Sequence, residues 1–379
     1  MNMVSVKRIR IYGLMKKKKN NDLTQRGDCI MQGMKVLVVG GSGFVGSNLV
    51  KRLLELDVEK ICIVDNFLSS EPTNIPDNPC IDVINGSIAD DLVLNKITDE
   101  YDYIFHLATY HGNQSSIANP LADHENNLLT TLKLFEHIKK FRNLHKVVYS
   151  GAGCAVAEKT YDQAHATSED APISLNMDSP YSISKIVGEF YAVYYHERLG
   201  LPTVRARFQN VYGPGEVLGA GQWRGTPATI WRNVTPTFIY KAMNDEALPL
   251  EGGGEATRDF IYVEDIVEGL IACALRGDNG DVYNLASGTE TSVLELASRI
   301  NELAGNATPL NIMPRRDWDH SGRRFGDPAK AKTKLGFEAK TALIDGLKYT
   351  IEWTKQSLPR IEQCMAKHAQ YMEAFNSGA

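Results

Sequence analysis

Between Lys35 and Arg207 short apolar runs alternate with longer segments of helical pattern, and that alternation leaves few architectures open. The runs are 35–39, 60–64, 81–84, 103–107, 146–150 and 203–207, each bounded by turn residues. Strands separated by helices run parallel, because each helix carries the chain back to the end of the sheet from which it came. A parallel sheet must in turn be covered on both faces. The expected fold is therefore α/β, with a doubly wound parallel sheet. Near Val211 the texture changes: Gly213, Pro214, Gly215, Gly219, Gly221, Trp223, Gly225 and Pro227 crowd a stretch that no regular element tolerates. A smaller mixed α/β C-terminal lobe is placed there. Residues 34–210 form the sheet domain and 211–358 mainly the second lobe, with some segments returning to the first. Residues 1–33 lack sustained periodicity and read as a disordered leader, and 359–379 as a helical tail.

The first strand runs into Gly40-Gly-Ser-Gly43-Phe-Val-Gly46 and then a helix. Glycine is needed where a side chain would block a pyrophosphate or the packing of helix on strand, and the helix N-terminus then faces the phosphates. The next strand, Ile61-Cys-Ile-Val-Asp65, ends in a carboxylate at the distance that reaches an adenosine ribose. A carboxylate accepts bonds from a free 2′-hydroxyl but repels a 2′-phosphate, which selects NAD over NADP. The sheet domain is accordingly of Rossmann type, with NAD as its expected cofactor.

Affinity for phosphate raises the question of nucleic acid, and the charge answers it. Lys and Arg number 41 against 46 Asp and Glu, a net charge of −5 that offers no basic surface to a phosphate backbone. One basic run, Lys16 to Lys19, is followed by Asn20, Asn21 and Asp22 without an apolar helical stripe and reads as a solvated tail. Cys29, Cys62, Cys80, Cys154, Cys273 and Cys364 are scattered, with no Cys-x-x-Cys, as reduced thiols in a cytoplasm would be. No metal site is expected. No stretch approaches the ~18 continuous apolar residues of a membrane span. The protein is expected to be soluble and cytoplasmic, without nucleic-acid or membrane partners.

Tyr181-Ser-Ile-Ser-Lys185 sets a phenol and an ammonium four residues apart, on one face of a helix. A nearby cation favours the phenolate, which would let Tyr181 act as a base near neutral pH. The spacing recurs in Tyr12-Gly-Leu-Met-Lys16, so a surface helix is the plain alternative. The company these residues keep is more specific. It includes Phe105-His-Leu-Ala108, Asn126-Asn127, Arg207-Phe-Gln-Asn210-Val-Tyr-Gly-Pro214, Arg258-Asp-Phe-Ile-Tyr-Val-Glu-Asp265 and Tyr283-Asn-Leu-Ala-Ser-Gly288. With the glycine turn, these motifs run in order from about Lys35 to about Trp353. The chain thereby resembles the extended short-chain dehydrogenases, the NAD-dependent epimerase/dehydratase family of sugar-nucleotide enzymes.

That resemblance implies roles residue by residue. Tyr181 would take the proton from a sugar hydroxyl, and Lys185 would hold the nicotinamide ribose and tune Tyr181. Ser150 and Cys154, in and after the fifth strand, would complete the catalytic set. The cofactor groove would comprise Gly40, Gly43, Phe44, Val45, Gly46, Asp65, Asn66, Ser87, Ile88, Leu107, Ala108 and Asn127. On the substrate side Asn210, Asn233 and Val234 would lie around a diphosphate. Arg258 would clamp it with an arginine from among Arg315, Arg316, Arg323 and Arg324, of which Arg316 and Arg324 are chosen. The implied partner is a nucleotide-diphosphate sugar, and the implied assembly is a homodimer through the helices after Asn127 and around Tyr181.

The chain departs from the family pattern at two places. Ser87 replaces the Asp that contacts adenine, and Ala152 falls where the family sets a Ser or Thr against the reacting sugar oxygen. The Asp-Glu pair of a 4,6-dehydratase falls on Gly153 and Cys154, and the Thr-Ser-Glu pattern of the decarboxylases is absent. Oxidation at C4 and reduction from the other face need little beyond Tyr181, Lys185 and NAD, so 4-epimerisation is the expected activity. Two alternatives stay open. Cys154 matches a cysteine of the family's 3,5-epimerases, which would suit proton exchange beside the ketone or an unusual dehydration. Against it, Arg232-Asn-Val-Thr-Pro236 offers no partner lysine, and a free cysteine is most often a buried core residue. The alanine at 152 would equally suit a non-catalytic sensor of NAD or sugar nucleotide.

Overall fold

The computed structural model describes residues 31–157, 160–320 and 322–377. Seven strands form the central sheet: β1 (Lys35–Val39), β2 (Lys60–Asp65), β3 (Ile81–Asn85), β4 (Tyr103–His106), β5 (Lys146–Ala152), β6 (Thr203–Phe208) and β7 (Val282–Leu285). Their order is β7-β6-β5-β4-β1-β2-β3, with every neighbouring pair parallel. The chain fills the sheet outward from β1 in one direction and from β4 in the other. A crevice therefore opens between β1 and β4 at their carboxyl ends, where ligands bind in such sheets. Six strands lie where the apolar runs place them. The seventh, β7, comes from the stretch assigned mainly to the second lobe and is one of the segments that return to the sheet.

Both faces are buried because every strand alternates its side chains. Val36, Val38, Ile61 and Ile63 pack with Leu49, Val50 and Leu53 of α1 (Phe44–Glu55) on one side. Leu37, Val39, Cys62 and Val64 pack on the other side with Leu134, Phe135 and Ile138 of α2 (Thr130–Ile138) and Ala192 and Tyr195 of α3 (Pro180–Leu199). Met31 is fully buried in the first of these clusters, and the Gly33 N–H donates to Asp57 O at 3.1 Å. The leader drawn at residues 1–33 is therefore too long. An apolar side chain within it completes the core, so the fold begins by Met31. The rest of that leader, with Lys16 to Lys19 and Cys29, lies outside the described residues.

The second lobe has its own core. Phe238 and Ile239 of α4 (Val234–Met243) and Leu296 and Ile300 of α6 (Val293–Ala304) pack around Tyr212, Leu250 and Phe260, with Leu347 and Ile351 of α7 (Leu343–Ala366). Between α4 and α6, α5 (Val263–Arg276) returns to the sheet and buries Ile266, Val267 and Leu270 beside α1. Beyond Pro359 the tail is tied down. Ile361 and Cys364 pack on Val217, Leu218 and Ala220, His368 Nε2 meets Gly219 O at 2.8 Å, and Tyr371 stacks on Trp223 with ring centroids 5.4 Å apart. The five cysteines among the described residues are free thiols, and no described helix is long and apolar enough to cross a membrane.

Candidate active site

The glycine turn sits at the carboxyl end of β1. Gly40 has φ +85°, and a Cβ there would lie 2.5 Å from Ala108 N. A Cβ on Gly46 would lie 2.1 Å from Gly40 O. Both positions must be glycine for α1 and the end of β4 to close on the turn. No side chain caps α1 at Gly43, so the N–H groups of its first turn keep no side-chain partner. Gly43, Phe44, Val45 and Gly46 line a cavity of about 860 Å³, and Asp65, Asn66, Ser87, Ile88, Leu107 and Ala108 continue its wall. This cradle fits a dinucleotide. The buried Asp65 carboxylate accepts from Ser42 N at 2.9 Å, Phe67 N at 2.9 Å and Ser70 Oγ at 2.9 Å. Burial outweighs these bonds and holds its pKa above the usual range.

Asn127 is the exception among the expected groove residues. It is buried, accepting from Tyr110 N at 2.6 Å and Thr109 Oγ1 at 3.0 Å and donating to Asp123 Oδ1 at 2.7 Å. It lies in a widened π-type turn, His124–Leu129, and braces the segment after β4 from behind. Its neighbour Asn126 lines the cavity instead.

Tyr181 and Lys185 lie in the first turns of α3. Ser179 caps this helix by accepting from Ser182 N at 3.3 Å, Pro180 presets its first turn, and Gly200 ends it at φ 72°. Both catalytic candidates open on the cavity. Lys185 Nζ donates to Ser150 O at 3.0 Å and approaches Ser150 Oγ at 3.4 Å, and it stands 6.0 Å from the Tyr181 ring centroid. Burial pushes Lys185 down to about 8, with Asp123, Cys154 and Glu189 opposing. Tyr181 differs from the sequence expectation: burial, then Cys154 and Asp123, drives its pKa upward, and the Thr109 hydroxyl beside it only partly offsets this. One ammonium cannot compensate a buried phenolate, so Tyr181 alone rests as the phenol.

β5 extends two residues beyond its expected end and delivers Ala152, buried, to the cavity wall. Gly153 follows against Gln209, whose Nε2 would lie 2.3 Å from a Cβ there. Cys154 is half-buried, lines the cavity and packs near Ala152, Ile186 and Tyr181.

At the second-lobe end, Asn210, Asn233, Val234, Arg258, Arg316 and Arg324 all line the cavity. Arg258 donates to Thr257 O at 2.7 Å and Gly322 O at 2.8 Å, and burial beside Arg324 pushes its pKa down to about 9. The four neighbouring arginines divide. Arg315 pairs with Glu255 at 2.6 Å and Arg323 with Glu290 at 2.9 Å, whereas Arg316 and Arg324 turn inward. Arg316 is held by Glu251 and, at 3.5 Å, Asp319.

Sequence reasoning missed one group on this wall. His111 Nε2 meets Asn233 Oδ1 at 3.3 Å, and Asn233 Nδ2 donates to buried Glu216 Oε1. The His111 ring stands edge-on to Tyr181 at 6.2 Å. Its residues are up to 122 positions apart, and no local spacing announces them.

Comparison with known proteins gives the family. The NAD dependent epimerase/dehydratase family matches this chain over residues 36–286. A putative UDP-glucose 4-epimerase of Methanocaldococcus jannaschii is 31% identical over 85% of this chain and 99% of its own length. The Bordetella bronchiseptica enzyme WbmF, solved in complex with NAD+ and UDP, is 60% identical at a TM-score of 0.82, covering 90% of this chain and 98% of that one. A UDP-N-acetylglucosamine 4-epimerase from Methanobrevibacter ruminantium M1, in complex with UDP-N-acetylmuramic acid, is 29% identical at a TM-score of 0.76, covering 86% and 100%. Sheet order, glycine cradle, Tyr-Lys pair and these likenesses agree: the chain is an enzyme, not a sensor, and belongs to the NAD-dependent epimerase/dehydratase family of nucleotide-sugar enzymes.

Proposed function

We propose that this enzyme inverts C4 of a UDP-linked hexose through a transient 4-keto sugar. One observation carries the reading. A single cavity joins the cofactor cradle, Tyr181 with Lys185, and an arginine-bearing far end, while Gly153 and Cys154 stand where a dehydratase sets its acid–base pair. UDP is favoured because WbmF was solved with UDP and the Methanobrevibacter ruminantium enzyme with a UDP-linked sugar. Tyr181 removes the C4 hydroxyl proton and later returns it. It does so as the phenolate, which Lys185, anchored on Ser150, and the positive charge that bound NAD would bring together favour over the resting phenol. The Gly40 to Gly46 turn cradles the cofactor diphosphate, Asp65 serves the adenosine ribose, and Arg258, Arg316 and Arg324 hold the substrate diphosphate. When bound, NAD would supply the hydride acceptor for C4 and, once reduced, the hydride donor to the opposite face of the ketone. The test is proton NMR of a panel of UDP-sugars incubated with the protein. The expected product differs only at C4; loss of water or inversion elsewhere refutes the reading.

Cys154 supports a second reading, since it lies half-buried in the same wall beside Tyr181. A thiol acting as base would exchange the acidified protons at C3 or C5. Deuterium entering those carbons in heavy water, and no longer doing so in Cys154→Ala, would establish it; C4 inversion alone leaves them unlabelled. We further propose a homodimer through the 120–138 helical run and α3, which expose Leu121, Ile183, Phe190 and Tyr194. Sedimentation as a monomer at micromolar concentration would refute it. Free thiols suit a cytoplasmic location.

A further inference from the structure

We propose that His111 contacts the substrate, with its tautomer set by Asn233 and Glu216, and that its Nδ1 accepts a hydrogen bond from an O–H or N–H on the sugar ring beside the reacting carbon. The inference rests on the 4-epimerase reading and deepens it. A primary amide has one donating and one accepting end. Glu216 Oε1 takes the donating end of Asn233, so the accepting end, Oδ1, is what His111 Nε2 meets at 3.3 Å. With Glu216 ionised, Nε2 therefore carries the hydrogen. The ring is neutral: burial, with Arg224, Arg232 and Lys185 around it, pushes His111 down to about 4. A neutral imidazole protonated at Nε2 leaves Nδ1 as a lone pair, which can accept and cannot donate.

Position and chemistry suit this role. His111 lines the cavity that holds Tyr181, and the two rings meet edge-on at 6.2 Å. Position 152, on the same wall, holds the methyl of Ala152, which offers the sugar no hydrogen bond. His111 brings a polar acceptor to that wall. Glu216 is 4% exposed, and its Oε2 has no hydrogen-bond partner. Burying a carboxyl so incompletely satisfied is costly. Orienting Asn233, and through it His111, is the function that this arrangement serves.

The test uses the UDP-hexose that the wild-type enzyme turns over, together with its 2-deoxy, 3-deoxy and 6-deoxy analogues. kcat and KM are measured for wild type, His111→Phe and His111→Gln. The wild type should disfavour one deoxy analogue roughly ten-fold in kcat/KM, the scale of one lost hydrogen bond. His111→Phe should lower the parent substrate to that level and lose the discrimination, with bound NAD unchanged. His111→Gln, which restores an acceptor, should recover part of it. Full activity of His111→Phe on the parent substrate, or undiminished discrimination by it, overturns the assignment. A wild-type enzyme inert toward every UDP-sugar is a separate result, and it would overturn the 4-epimerase reading together with this one.

Discussion

Glu189→Gln probes how the sheet holds the catalytic helix. Glu189 lies one turn beyond Lys185 on α3 and forks onto Arg207 of β6, Nε to Oε1 at 3.0 Å and Nη2 to Oε2 at 2.9 Å. The side chains are 2% and 4% exposed, and Arg205 stands 3.6 Å away as a second cation. Gly151 closes against this pair so tightly that a Cβ would lie 2.5 Å from Glu189 Oε1. The amide keeps the shape but leaves the buried Arg207 guanidinium without a carboxylate, and breaking such a pair costs about 3–5 kcal/mol. At roughly 2.1 cal/mol/K per residue of unfolding entropy, that lowers Tm by roughly 4–6 °C if the chain unfolds as one unit. A second effect is electrostatic. Glu189 holds the Lys185 pKa up against burial, so its removal should move the loss of the Lys185 charge below about 8. Differential scanning calorimetry and the alkaline limb of the kcat/KM profile read the two effects. A Tm within about 1 °C of wild type, with the limb unmoved, would refute the reasoning.

Other substitutions separate chemistry, titration and folding. Tyr181→Phe should retain bound NAD and fold while lowering kcat by roughly 10²–10⁴, measured by coupled assay; near-normal turnover would move the base elsewhere. Burial raises Glu216 from 4.5 to about 7, so the folded state holds this proton more tightly than the unfolded chain. The stability it gives is whole below pH 4.5 and is lost as pH rises through 7, by about 2–4 kcal/mol. Glu216→Gln should therefore gain on wild type in urea denaturation between pH 5 and pH 8, and a difference that does not vary with pH would contradict this. Met31→Ala empties a fully buried site and should cost about 2–5 kcal/mol in the same assay; a neutral result would return Met31 to the leader.

What could be read in advance follows the range of the interactions involved. Six strands announced themselves because apolar runs between turn residues need only local sequence. Val282–Leu285 did not, since four residues between α5 and α6 become a sheet strand only by pairing with β6. The glycine turn and the Tyr181–Lys185 pair were legible for the same reason, as spacing fixes their geometry within one turn or helix. Asn127 shows the limit. Its motif was visible, but whether it faced the groove or braced the wall depended on the π-type turn that buries it. Arg316 was chosen over Arg315 with no local signal to separate the two; Glu255 pairs with Arg315, and Arg316 lines the cavity. His111, Asn233 and Glu216 meet only through tertiary packing.

The tied-down tail has a consequence for how long a ligand stays. The loop it pins is sewn to the segment after β2: Arg232 Nη1 donates to Ser69 O at 2.7 Å, Arg224 Nη1 to Ser69 Oγ at 2.5 Å, Gln222 N to Leu68 O at 3.0 Å and Gly221 N to Glu71 Oε1 at 2.7 Å. Lys367 and Arg360, from the tail itself, reach Glu71 and Asn74. Leu68, Ser69 and Arg232 all line the cavity, so this seam closes over the side where the cofactor cradle lies and leaves out the segments that carry Arg258, Arg316 and Arg324. Residence times on the two sides should differ. A catalyst whose dinucleotide is restored at every turnover gains nothing by releasing it, and this seam ties the C-terminus to the cofactor side.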